Sequence, residues 1–347
     1  MGDKIIKKPT MNDVAKLAGV SQATVSNVIN NKNIVSDYAI KKVYDSIRKL
    51  EYVPDAIAKS LKQKTSDVIG LIVPDIESGF YSEIAKIVEG YLQSNNFLTY
   101  LCNTFYDPIL ENKLIMNLRG HNVAGIIICY GLINQNIYDQ LAFSNIPCVV
   151  MDDKVYSEIG SISSIEVDNI KGSKLAINYL HKIGAKKISF ASEPLVTKTL
   201  KNRFQGFKIA MGENNYPLSD DLIFIENIEY DKLEMGHNLA EKILLEKDID
   251  AIFASSDSLA IGIIKRLQEK NIGIPDDVLI IGFDNIKLSK LFSPSLTTIA
   301  QPLHTMATKS AEIILKKIKG ETKNEDKLHF ILDPSIIIRQ STNIKNK

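Results

Sequence analysis

The chain has 347 residues, 45% hydrophobic, with a mean hydropathy of −0.02. No apolar run reaches the ~18 residues of a membrane helix, so a helical membrane protein is excluded and two or three soluble domains are expected. The net charge of +1 is unevenly spread: residues 1–65 hold 12 Lys/Arg against 6 Asp/Glu, a balance of +6, and the remainder carries −5. A small basic head on a slightly acidic body is the electrostatic footprint of a polyanion binder.

The N-terminus, Met-Gly-Asp-Lys-Ile-Ile-Lys-Lys, has no apolar stretch behind it, and a cytoplasmic location is the default expectation. Three short helices are predicted up to about Leu50. Thr10 and Asp13 have the spacing of a capping box, and Met11, Val14, Ala15 and Ala18 recur at helical spacing. Gly19-Val20-Ser21 reads as a tight turn. A second helix spans 22–30, with Val25, Val28 and Ile29 inward. Ser36 caps a third, whose apolar stripe is Ile40, Val43, Tyr44, Ile47 and Leu50. Pro54 ends this unit, and a short helical stretch and polar linker follow to about residue 65.

From Asp67 apolar strands alternate with helical segments. The strand runs are 68–74, 97–102, 124–129, 147–151, 187–191, 222–225, 251–254 and 278–283. Amphipathic helical patterns fall at 81–92, 175–183, 233–245 and 259–267. Continuous apolar strands between helices indicate buried parallel sheets. Eight strands are divided most economically into two doubly wound lobes, with a seam near 165–168. The fold class expected is an all-α head followed by an α/β core of two doubly wound parallel-sheet lobes. The domain limits read 1–51 for the head, 52–65 for a hinge and linker, and 66–347 for the core. Within the core, lobe 1 is set at about 66–166 and 299–326, and lobe 2 at about 167–298 and 327–341. Ligands of such sheets sit beyond the carboxyl ends of the strands.

Asp13-Val14-Ala15-Lys16-Leu17-Ala18-Gly19-Val20-Ser21, followed by Thr24-Val25-Ser26 and Val28-Ile29-Asn30, closely resembles the helix-turn-helix of the LacI–GalR family of transcription regulators. A helix-turn-helix lays its second helix in the major groove, first residues at the base edges. Those residues are Gln22 and Ala23, with Ser26 and Asn27 one turn on. Ser21, Thr24, Asn30 and Ser36 carry small polar groups suited to phosphate oxygens, although Ser21 and Ser36 also suit helix caps. Many family members have Arg at the position of Asn27, and Ala23 offers only a methyl group. The stretch 52–61 resembles the family's hinge helix, which implies minor-groove contacts by Ala58, Lys59 and Leu61, with Leu61 wedged at a base step. Asp55 and Lys59 replace the more usual Asn and Arg.

The rest of the chain resembles the family's effector domain, and hence the periplasmic-binding-protein fold, through Ile69-Gly70-Leu71-Ile72-Val73-Pro74-Asp75, Arg203-Phe204-Gln205-Gly206-Phe207, Ser256-Asp257-Ser258-Leu259-Ala260-Ile261-Gly262 and Ile281-Gly282-Phe283-Asp284-Asn285. Effector contacts are expected from Asp75, Phe80, Tyr81, Thr199, Arg203, Ser256, Asp257 and Asp284. Phe80 and Tyr81 suit stacking on a ring. Arg203 and Asp284, a five-donor fork and an acceptor-only group, suit vicinal hydroxyls. Asp257 has a competing role as cap of the helix from Ser258. The purine-binding branch carries an Arg where this chain has Thr197, which counts against a purine ligand.

The resemblance implies a homodimeric repressor on a pseudo-palindromic double-stranded DNA operator. A small effector, expected to be a sugar or sugar derivative, sets its affinity. An alternative is a global catabolite regulator with a phosphorylated phosphocarrier protein as corepressor. No catalytic role, cofactor or metal is expected: there is no GxGxxG after a strand, no P-loop and no GxSxG, and the five histidines have no metal-ligand spacing. The cysteines Cys102, Cys129 and Cys148 sit singly in apolar runs as free thiols.

Overall fold

The computed structural model describes residues 9–29, 34–53, 66–129, 141, 146–152, 162–226, 231–246, 248–322 and 326–343. Two compact units divide the chain between Ser66 and Asp67. Among the described residues no helix is long and apolar enough to cross a membrane.

The first unit holds α1 (Met11–Ala18), α2 (Gln22–Ile29) and α3 (Asp37–Leu50). Thr10 and Asp13 form the expected capping box: the Thr10 Oγ1 accepts from the Asp13 N–H, and the Asp13 carboxylate accepts from the Thr10 N–H at 2.8 Å. Gly19 ends α1 in the left-handed conformation, φ 67°, which a residue without Cβ adopts freely. Val20 N–H then bonds back to Ala15 O, fixing the turn between α1 and α2. Val14, Ala15, Ala18, Val25, Val28, Val43 and Tyr52 form the small buried core. Tyr44 is not part of it: it is 42% exposed, and Ser46 is buried instead, donating to Lys42 O. The α3 stripe runs through 40, 43, 47 and 50, and Tyr44 lies a full 100° round the helix from Val43.

The second unit consists of two six-stranded sheets. In lobe 1, β1 (Val68–Val73), β2 (Leu98–Asn103), β3 (Gly125–Cys129), β4 (Cys148–Met151), β5 (Ser163–Val167) and β11 (His329–Leu332) line up in the order β11-β5-β4-β3-β1-β2, all parallel. In lobe 2, β6 (Ile188–Ser192), β7 (Ile223–Ile225), β8 (Ala251–Ala254), β9 (Leu279–Asp284), β10 (Thr297–Ala300) and β12 (Ser335–Ile337) run β12-β10-β9-β8-β6-β7. Only β12 is antiparallel to its neighbour. The helices are α4 (Gly79–Ser94), α5 (Pro108–Gly120), α6 (Asn169–Lys182), α7 (Lys198–Glu213), α8 (Lys232–Ile243), α9 (Asp257–Glu269), α10 (Lys287–Leu291) and α11 (Leu303–Ile318). The architecture is the expected pair of doubly wound lobes. Cys129 and Cys148 are buried thiols and Cys102 is half-buried.

The lobe limits differ from the sequence reading in two places. Thr297–Ala300 completes the lobe 2 sheet against β9, so the chain returns to lobe 1 at Gln301-Pro302, not at 299. His329–Leu332 pairs with β5 and therefore belongs to lobe 1, so the last crossing falls at Asp333-Pro334, not at 327. Strand pairing sets both limits, and a proline marks each. The first crossing lies at Asp168. There the Asp168 N–H donates to Leu332 O, and Lys171 bridges Asp333 at 2.7 Å, joining the first and third crossings.

Helices α8 and α9 touch backbone to backbone. A Cβ on Gly236 would stand 2.2 Å from Leu259 O, and one on Gly262 2.0 Å from Leu233 O. That contact brings the start of α8, at Lys232, beside the start of α9, at Asp257, at the carboxyl end of the lobe 2 sheet.

Candidate functional site

In the first unit α2 presents Gln22 and Ala23 exposed and Ser26 and Asn27 half-buried, while Val25 and Val28 face the core. Ser21 Oγ accepts the Thr24 N–H at 3.1 Å and lies 2.9 Å from the Thr24 hydroxyl. Ser36 Oγ accepts the Ala39 N–H at the start of α3. Ser21 and Ser36 therefore cap helices, and a capped helix start is also where phosphate is favoured. Asn30, Ala58, Lys59 and Leu61 lie outside the described residues.

In the second unit a cavity sits between the lobes at the carboxyl ends of their strands. Six of the eight expected effector residues line it: Phe80 and Tyr81 from the first turn of α4, Thr199 and Arg203 from α7, Ser256 before α9, and Asp284 at the end of β9. Phe80 and Tyr81 stand edge to face at 5.1 Å. As the lobes stand, the cavity is about 30 Å³, well short of the ~300 Å³ and more of ligand pockets. The lobes are clasped across it. Thr199 Oγ1 donates to Asp152 O at 2.8 Å, Lys198 bridges Glu166 at 2.9 Å, and Lys287 bridges Glu83 at 2.5 Å.

Arg203, 4% exposed, is the hub. Its Nε donates to Asn169 Oδ1 at 2.9 Å, Nη1 to Ser255 O at 2.6 Å, and Nη2 to Asp284 Oδ1 at 3.2 Å. The guanidinium lies 3.7 Å above the Phe283 ring. Asp284 Oδ1 also accepts Gln301 Nε2 at 2.7 Å. Asp284 sits at φ 115°, a strained conformation for a residue with a Cβ, of the kind that persists where the surroundings over-determine it. Burial raises its carboxyl above the ordinary range, and Arg203 draws it part of the way back. Asn169 follows the first crossing and Gln301 opens the second. The guanidinium is thus bonded directly, and through Asp284, to the strands that join the lobes.

Two expected residues are elsewhere. Asp257 is fully buried and does not line the cavity. Its carboxyl accepts from the Ser289 hydroxyl at 2.6 Å, the Ile286 N–H at 3.0 Å and the Thr298 hydroxyl, tying the loop after β9 to β10. It does not cap α9; Ser256 does, accepting the Leu259 N–H. Gly282 permits the placement, since a Cβ there would lie 2.3 Å from Asp257 Oδ1. Burial, with the nearby Asp284 charge, pushes the Asp257 carboxyl up to about 7. Asp75 is half-buried, accepts the Glu77 N–H at 2.9 Å, and stays outside the lining.

The site also contains residues not anticipated. Glu193, buried just after β6, pairs with Lys232 at 2.6 Å and accepts the Ser255 hydroxyl, and both charged groups line the cavity. Burial alone would raise the Glu193 carboxyl, but Lys232 and Ser255 hold it down to about 2. Asp152, Asn169, Ser255 and Gln301 all directly follow strands or the turn beyond them. The rule that ligands gather past strand ends pointed to each of these positions. Lys232 opens a helix, and nothing local marks it.

Residues 10–55 match the bacterial regulatory proteins of the lacI family, and residues 177–342 the periplasmic binding protein-like domain. Over 335 residues the chain is 36% identical to the HTH-type transcriptional repressor PurR of Vibrio cholerae, covering 96% of this chain and 97% of that protein. The chain belongs to the lacI family of bacterial regulatory proteins. As such it is a DNA-binding transcriptional regulator with a ligand-binding core. Its fold is also that of the lac repressor dimer bound to operator and the anti-inducer ONPF, with a TM-score of 0.82 at 23% identity over 97% of this chain and 99% of that one. The core of a periplasmic binding protein/LacI transcriptional regulator from Alkaliphilus metalliredigens, complexed with D-xylulofuranose, is 30% identical, with a TM-score of 0.70 over 80% of this chain and 100% of that one.

Proposed function

We propose that this lacI-family protein is a homodimeric repressor whose affinity for a pseudo-palindromic operator is set by an uncharged carbohydrate in the interlobe cleft. The observation that carries the reading is the Arg203 network. A ligand displacing Arg203 or Asp284 from their mutual contact acts at once on Asn169 and Gln301, and so on two of the three crossings. Binding can then bias lobe closure, and a coupling of about 1–3 kcal/mol alters operator affinity roughly 5–150-fold.

The ligand class follows from the lining. Among the described residues the cationic groups there are matched by carboxylates, Arg203 by Asp284 and Lys232 by Glu193, with Asp152 in addition. The described wall thus has many donors and acceptors and no surplus positive side-chain charge, which suits hydroxyls better than phosphate. The sugar bound by the Alkaliphilus relative points the same way. Thr197 is the cap of α7, its hydroxyl accepting the Leu200 N–H, so this position offers a purine no guanidinium.

On the DNA side, Gln22, Ala23, Ser26 and Asn27 are assigned to base edges, and Ser21, Thr24 and Ser36 to phosphates. Asn30, Ala58, Lys59 and Leu61 complete the set on sequence grounds. Leu98, Tyr100 and Leu101 on edge strand β2, with Ile109 and Met116 on α5, are exposed apolar side chains of lobe 1 that suit the dimer contact. The protein works in the cytoplasm, with no catalytic step and no cofactor.

The test is a thermal-shift screen of wild type and Asp284→Ala against sugars, sugar phosphates and nucleobases. A ligand at 100 times its Kd adds about 2.7 kcal/mol of stability. A free sugar should stabilise the wild type and not the variant. Stabilisation by nucleobases or sugar phosphates alone, or by nothing in the panel, would refute the carbohydrate assignment.

A further inference from the structure

The cleft is not the roomiest hollow of the core. A second cavity, of about 260 Å³, opens on lobe 2 at the opposite ends of the strands. Its walls are apolar side chains, among them Ile243 at the end of α8, Ile252 at the start of β8, Leu267 near the end of α9 and Ile272 in the loop towards β9. Among the described residues its polar side chains are all acids: Glu246, Asp248 and Asp277. Among the described residues none of the three is in an ion pair, and Asp277 accepts the Gly273 N–H at 2.6 Å. Lys247, between the first two in the sequence, lies outside the described residues. Helices α8 and α9 both end here, at Ile243 and Glu269, and the carboxyl end of a helix carries partial negative charge.

An apolar wall with a negative rim selects its occupant. A sugar would leave its hydroxyls unpaired against the aliphatic side chains. An anion is repelled by the rim. A cation with an apolar body satisfies both parts. We propose that this cavity is a second ligand site, for a small organic cation of the aryl- or alkylammonium type, separate from the interlobe cleft. The assignment does not depend on the carbohydrate reading, because Ser256 and Asp284 lie at the far ends of β8 and β9.

Isothermal titration of the full chain with 2-phenylethylammonium, 2-phenylethanol and phenylacetate tests it, since the three share an apolar body and differ in head-group charge. The ammonium should bind saturably, about tenfold tighter than the alcohol, and weaken as salt is raised, while the acid should not bind. The surface double variant Glu246→Gln, Asp248→Asn should erase the preference for the ammonium and leave the alcohol unchanged. Ile272→Phe, which fills the cavity, should remove binding of both. Absence of saturable binding, equal affinity for alcohol and ammonium, or a preference that survives the double variant overturns the proposal. The charge variants decide the matter even if Ile272→Phe does not fold.

Discussion

Asp257 and Asp284 are neighbouring carboxyls at strand ends, both expected at the effector, with a helix cap as the competing role for Asp257 alone. What separates them is the partner set. Asp284 meets Arg203, and Asp257 meets two hydroxyls and an N–H with no cation in direct contact. The Asp257 carboxyl is therefore pushed up to about 7 from an ordinary 3.8. Above pH 7 the group is ionised folded and unfolded, and its burial counts fully against the fold. Between 7 and about 4 the folded state keeps a proton that the unfolded chain releases, so stability rises as pH falls through this window. Below it the contribution is constant. Glu193, held to about 2, acts only at lower pH, where its stabilisation is lost as pH falls below the ordinary carboxylate range. Urea midpoints should increase from pH 8 to pH 5, and Asp257→Asn should flatten that rise. The raised Asp284 carboxyl leaves a remainder. A midpoint that falls over the same range would show that hydrogen bonding outweighs burial at Asp257. Arg203→Met is the complementary case. It strands Asp284 in the interior and should cost about 3–5 kcal/mol, at the lower end if Asp284 takes up a proton. Denaturant unfolding measures this directly.

At the scale of elements, position follows from close approach as much as from apolar pattern. Gly262→Ala inserts a methyl 2.0 Å from Leu233 O and should cost about 1–3 kcal/mol by forcing α8 and α9 apart. Because Lys232 and Ser256 sit at the starts of those helices, effector affinity should fall with it. Gly212→Ala, where nothing lies within 4 Å, should instead gain up to about 1 kcal/mol from helix propensity. Urea midpoints of opposite sign would confirm the contrast. The same distinction explains what was legible in the sequence. All eight apolar runs hold strands: six, β1, β3, β4, β6, β8 and β9, are buried along their length, as an inner parallel strand requires, while β2 and β7 are partly exposed edge strands. β5, β10, β11 and β12 were missed. Ser163-Ser164 and Thr297-Thr298 are buried polar pairs whose hydroxyls find partners only in the tertiary structure, such as His329 Nδ1 for Ser164 and Thr342 for Thr297. Those omissions moved the lobe limits, since the crossings follow β5, β10 and β11. In the site, strand-end side chains were readable one by one. Lys232 was not, because it opens a helix and meets Glu193, 39 residues earlier, only through tertiary packing.

For the whole molecule, the division of charge and the division into units coincide: the +6 lies in residues 1–65, and the compact units part between Ser66 and Asp67. The core from Asp67 has its own sheets and its own buried clusters, apart from the head cluster around Val14 and Val43. It should fold without the head. Removing residues 1–62 takes away every residue assigned to base and phosphate contacts and leaves a core of net negative charge. Such a core should bind the effector with unchanged affinity, since Arg203, Asp284 and their partners all lie within it. It should also lose operator binding altogether and show no steep salt dependence toward DNA, because the cationic groups that remain are outnumbered by carboxylates and no longer form a basic face to displace counterions. Gel-shift titration at two salt concentrations, with calorimetry for the effector, reads both properties on one preparation. A truncated core that still selects the operator would place recognition outside the helix-turn-helix. A core that folds but loses the effector would mean that the head contributes to the cleft, a dependence that the Arg203 network gives no reason to expect.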